Sequence, residues 1–124
     1  CNTLNNSKAV QLITQILLKH NINFEREKRF PECKNKKPLP FDFLLVDYNI
    51  LIEFDGIQHF EPMRWYNNHP ADPKKAEEKL LQTQANDKIK NNWSKKSPYT
   101  LYRIPYDKNV EKELNKILIK NKVI

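Results

Sequence analysis

Apolar residues at positions 9, 10, 12, 13, 16, 17 and 18 of SKAVQLITQILLKH (7–20) have the spacing of a helix with a broad buried face, with Ser7 at its N-cap. Asn21 and Asn23 end it. In NFEREKRF (23–30), Phe24, Arg26, Lys28 and Phe30 alternate with Glu25, Glu27 and Arg29, which predicts an exposed, charged edge strand. PECKNKKPLP (31–40) reads as a basic loop. Two short strands follow, about 41–46 and 49–55, and turn-tolerant residues at Asp47 and Tyr48 join them into a hairpin. From 56 to 73 the chain is rich in Pro, Asn and His, a loop of a length that is more often functional than idle. PKKAEEKLLQTQANDKIKNNW (73–93) has proline in its first turn and apolar residues at 76, 80, 81, 85, 89 and 93, a long one-sided helix. A strand over 99–106, stopped by Pro105, and an amphipathic helix over 109–120 complete the chain. Helix, strand, hairpin, helix, strand, helix is the order of an α/β fold in which helices cover a mixed sheet.

Composition narrows this picture. A chain of 124 residues holds one core, so residues 1–124 are expected to form a single domain. It begins at Cys1 rather than Met, as expected of the C-terminal part of a longer protein. Twenty-two Lys and Arg against fifteen Asp and Glu leave a net charge of +7, which suits an anionic partner such as nucleic acid. No apolar run reaches the roughly 18 residues that span a bilayer, and no signal-peptide pattern opens the chain, so the expected setting is intracellular, cytoplasmic or nuclear, with no membrane partner. Cys1 and Cys33 form neither a disulfide framework nor a thiolate zinc spacing.

The chemistry is concentrated in FDFLLVDYNILIEFDGIQHF (41–60), where carboxylates interrupt the most hydrophobic stretch. With a two-residue corner at Asp47–Tyr48, Val46 faces Asn49 and Asp42 stands opposite Glu53. Asp55 falls on the same face, while Phe41, Phe43, Ile50, Ile52 and Phe54 occupy the other. Opposed like charges cost up to about 1 kcal/mol in a wet sheet. Either a hard divalent cation such as Mg²⁺ or protonation of one carboxylate offsets that cost. Gly56 permits an abrupt turn, which delivers Gln58 and His59 beside the acids. Carboxylates with a nearby imidazole suit metal-assisted hydrolysis of a phosphodiester.

FDF followed by IEFDGIQHF is similar to the hairpin of the PD-(D/E)XK nuclease superfamily, in the branch of very-short-patch repair endonucleases and EDxHD homing endonucleases. NDKIKN and LYRIPY resemble the helix and strand that follow there. The resemblance implies a restriction-endonuclease-like core (αβββαβα) and a Mg²⁺-dependent endonuclease acting on DNA, with Mn²⁺ able to substitute. It also implies a metal site of Asp42, Glu53 and Asp55 with the Phe54 carbonyl, His59 as base or leaving-group acid, Asp87 as the last motif aspartate, and Gln58 or Lys88 on phosphate. Asp55 stands where superfamily members carry lysine, and Val10 where related proteins carry a first-helix glutamate. Glu25 and Glu27 are candidate replacements for that acid. Val10 also supports the alternative of a catalytically impaired module that binds DNA or RNA without turnover.

Arg64, Trp65 and Tyr66 in the long loop offer backbone contact and base stacking. Lys34, Lys36, Lys37, Lys88, Lys90, Lys95 and Lys96 are candidates for a phosphate track. Duplex DNA is the leading partner and RNA the second. One catalytic cluster nicks one strand, so double-strand cleavage would call for a dimer or further domains of a longer chain.

Overall fold

The computed structural model describes residues 4–66 and 69–124. Helix α1, Leu4–Lys19, begins ahead of Ser7, so Ser7 lies inside the helix rather than capping it. Its end is a Schellman closure: Asn21 takes a left-handed φ of 56°, Ile22 N donates to Leu17 O at 3.0 Å and Asn21 N to Leu18 O at 3.0 Å. Ala9, Ile13, Ile16 and Leu17 form its buried face, narrower than the spacing predicts, because Leu12 and Leu18 are exposed.

Strand β1, Phe24–Lys34, and strand β2, Pro38–Leu45, are both longer than expected, and the basic loop shrinks to residues 35–37. Prolines 31, 38 and 40 misled the sequence reading here. β1 is an edge strand, and the regular pairing of β2 with β3, Ile50–Asp55, covers only Phe43–Leu45, so these prolines cost few ladder bonds. Leu45 pairs with Ile50, the register expected, although the turn spans 46–49 with Asn49 at φ 53°.

A single 3₁₀ turn, Ile57–His59, follows β3. Gly56 before it has φ −69° and ψ 173°, a conformation open to other residues, so the turn does not draw on glycine's freedom. The long loop then holds a two-residue ladder of β4, Trp65–Tyr66, with β5, His69–Pro70. Helix α2, Pro73–Lys95, is capped by the Asp72 side chain accepting from Lys74 N at 3.1 Å. Strand β6, Thr100–Pro105, and helix α3, Val110–Lys120, capped by Asn109, complete the chain.

The sheet order is β1-β2-β3-β6, antiparallel except for the parallel β3–β6 pair. The fold is thus α/β, a four-stranded mixed sheet flanked by helices. Alternation along the strands divides the core. Phe43, Leu45, Ile50, Ile52, Phe54 and Ile104 pack with α1 and α3, whereas Leu44 and Leu51 pack on the opposite face with Ile89 and Trp93 of α2. Phe41, expected beside Phe43, instead joins Phe30, Cys33 and Trp93 on the α2 side. Regular pairing of β2 with β3 stops at Phe43–Ile52, and β2 no longer alternates with its partner beyond that point. Among the described residues no helix is long and apolar enough to cross a membrane.

Candidate functional site

Where β2 parts from β3, two carboxylates fill the gap. Asp42 N donates to Glu53 Oε1 at 2.7 Å, and Phe54 N donates to Asp42 Oδ2 at 2.7 Å. Each acid therefore replaces a ladder acceptor on the neighbouring strand, which explains why they stand inside an apolar segment: backbone N–H groups at the break need partners. Glu53 is 3 % exposed, and its other oxygen accepts from Lys90 Nζ of α2 at 2.7 Å. The Lys90 ammonium also lies 5.3 Å from the centre of the Phe41 ring. Lys90 was a candidate for an exposed phosphate track; it is instead buried at 8 % exposure as the counter-ion of Glu53. Its spacing from Asp87, one helical turn, puts both on the α2 face that covers the sheet.

The parallel β3–β6 register sets Arg103 beside Glu53. Arg103 reaches Asp55 Oδ1 at 2.8 Å, Asn91 Oδ1 at 2.9 Å and the Asp87 carbonyl at 3.3 Å. His59 Nδ1 lies 2.7 Å from Asp87 Oδ2 and 3.7 Å from Asp55 Oδ1. An ionised carboxylate only accepts, so Nδ1 donates to Asp87 and Nε2 is the atom left for other chemistry.

Charge and burial act unevenly on these groups. Burial, reinforced by the Glu53 charge, pushes Asp42 up to about 7 against the Phe54 N–H that favours its anion. Burial also raises Asp55, with Arg103 and His59 opposing it. Burial disfavours the His59 imidazolium, yet the Asp87 hydrogen bond and the charges of Asp87, Asp55 and Glu53 outweigh it, and the imidazole is held above its usual value. For Asp87 burial works upward, but His59 and Arg103 prevail and keep it low. Both shifts favour imidazolium and carboxylate in the pair.

A cavity of about 810 Å³ opens over this floor, with Asp42, Glu53, Gln58, His59 and Lys90 among its lining residues. Asp87 stands behind His59. Asp55 stands two residues beyond Glu53 on β3, but it does not line the cavity, and Arg103 engages its carboxylate. Asp55, His59 and Asp87 also present ligand atoms within 4.8 Å of one another, a group already linked by Arg103 and the His59–Asp87 bond. Val10 lines the cavity from α1, and exposed Glu27 does so from β1, at φ 51°. Lys88, Arg64 and Trp65 are exposed and do not line it; neither do Lys95 and Lys96 at the far end of α2. The Tyr66 side chain lies outside the described residues.

Sequence reasoning missed Arg103, although an arginine inside the short strand TLYRIP was a signal that its neighbours on the sheet carry acids. It also missed Lys75 and Lys79, which line the cavity from the first half of α2 and carried no sequence signal beyond charge. No family model matches the chain, and no curated protein and no solved structure does either.

Proposed function

We propose that the chain is a Mg²⁺-dependent endonuclease domain that hydrolyses DNA phosphodiester bonds, with the restriction-endonuclease-like core its motifs resemble. The observation that carries this reading is the Asp42–Glu53 pair at the floor of an open cavity, beside an imidazole whose Nδ1 is already held by a carboxylate.

The donor set fits a hard divalent ion. Glu53 has four lone-pair positions and the contacts above occupy two; Asp42 Oδ2 accepts one N–H. The crowding that lifts Asp42 to about 7 is the cost a cation would relieve. Asp42 and Glu53, with the Phe54 carbonyl, would hold Mg²⁺ or Mn²⁺. Asp55 has a lesser part in this assignment, because Arg103 already neutralises it. When bound, the ion polarises phosphate and lowers the pKa of its water.

The chain's own groups divide the remaining work. His59, whose imidazolium Asp87 favours and orients, gives a proton from Nε2 to the leaving oxygen. Lys90 keeps positive charge at the floor, where it steadies Glu53 and opposes charge building on the phosphate. Gln58, on the same 3₁₀ turn as His59, supplies a neutral donor to the phosphate from the cavity wall. Cleavage of labelled single-stranded and duplex DNA with Mg²⁺ or Mn²⁺, beside Asp42→Ala, tests the reading. Metal-dependent cleavage lost in the variant supports it, and equal cleavage by both proteins sinks it.

Val10 favours a second reading, a module that binds nucleic acid without turnover, because an apolar side chain lines the cavity where a glutamate is expected. Salt-sensitive binding without cleavage, and cleavage gained in Val10→Glu, would mark that case.

A further inference from the structure

The cavity's walls bear on the form in which a strand reaches the floor. The cavity, about 810 Å³, has Val10, Pro40, Pro70, Ala71, Ala76 and Leu80 among its lining, an apolar surface that suits base faces, which a duplex keeps stacked on one another. Glu53 at 3 % exposure lies at the bottom, so the reacting phosphate must descend to it.

The walls are built on three sides. Val10 and Pro40 stand on one. His69, Pro70 and Ala71 also line the cavity and are held as a strap: Ala71 N donates to Arg64 O at 2.9 Å and Trp65 pairs with Pro70. The third side is α2, where Lys75 and Lys79 lie one turn apart with half-buried Ala76 and Leu80 beside them. Apolar surface beside a pair of lysines complements bases and phosphates of one strand, the combination used by single-strand binding grooves. Acidic Glu27, Glu61 and Asp72 also line the cavity and weigh against a continuous phosphate track there, which favours a short unpaired segment over an extended one.

We propose that DNA reaches this site unpaired, as a single-stranded segment, an end or a displaced flap, with bases against the apolar walls and phosphates beside Lys75 and Lys79. This rests on the nuclease reading and names its substrate form. The test is fluorescence anisotropy in EDTA, where no cleavage occurs, with a labelled single-stranded oligonucleotide and the blunt duplex of the same sequence. Expected is single-strand binding about tenfold or more tighter than duplex binding, roughly 1.4 kcal/mol. Ala76→Trp, which fills the cavity, and the exposed double variant Lys75→Glu/Lys79→Glu should each remove that preference; the second keeps the test valid if the first does not fold. Equal or tighter duplex binding, or a preference unchanged in the double variant, overturns the inference. The two proposals fail separately: preferential duplex cleavage dependent on Asp42 refutes the unpaired strand alone, while single-strand preference without metal-dependent cleavage refutes the nuclease alone.

Discussion

Replacing Asp42 by Asn should stabilise the metal-free protein above neutrality while removing the group on which the proposed chemistry depends. An ordinary aspartate titrates near 3.9, whereas burial and the Glu53 charge push Asp42 up to about 7. A carboxyl whose folded-state pKa lies above its unfolded value binds its proton more tightly in the fold, so stability declines as pH rises between the two values and stays lowered above the upper one. Three pH units at 1.36 kcal/mol each set a ceiling of about 4 kcal/mol. Some exposure of the carboxylate and relaxation around Glu53 bring the expected gain for Asp42→Asn to about 2 kcal/mol at pH 8, with little or none at pH 4. The Asn carbonyl can still accept from Phe54 N, so the break between β2 and β3 keeps that bond. Urea unfolding in EDTA at pH 4, 6 and 8 measures this directly, and Mg²⁺ should stabilise the wild type but not the variant. A stability difference that does not grow with pH would refute the electrostatic account of Asp42.

Three further outcomes follow from the same geometry. His59 is held above its usual pKa, so cleavage requiring the imidazolium should fall as pH rises through that raised value, and Asp87→Asn should move the fall to lower pH in a rate profile. The His59 contribution to stability has the same sign: it is fully present below about 6.5 and lost as pH rises through the folded value. Lys90→Met strands Glu53 at 3 % exposure without its counter-ion and should cost about 3 kcal/mol in denaturant unfolding, whereas exposed Lys88→Met should change stability by less than about 0.5 kcal/mol.

The arrangement of elements was legible because its signals are local. The 3.6-residue period of α1 and α3, the proline in the first turn of α2 and the apolar run of β3 each fix an element without reference to the rest. The hairpin register was legible for the same reason over Phe43–Leu45, and Asp42 and Glu53, just past it, meet through the Asp42 N–H bond to the Glu53 carboxylate. What escaped depended on neighbours distant in sequence. Prolines 31, 38 and 40 read as loop because their tolerance depends on which strands lie at an edge. α2 has weak one-sidedness because the face it turns to the sheet carries Asp87, Lys90 and Asn91 over an acidic floor, and Leu81 is exposed. Lys90 looked like one lysine among many until the fold set it on Glu53. Arg103, likewise, acquires its role from a parallel pairing of strands 50 residues apart in the chain.

Binding of Mn²⁺ to the wild type and to Asp42→Asn, followed by calorimetry at pH 8 without nucleic acid, bears most directly on the claim that Asp42 and Glu53 form a cation site. The account predicts binding by the wild type and its loss in the variant, with the Asn protein folded. No binding by the wild type, or equal binding by both, would contradict it.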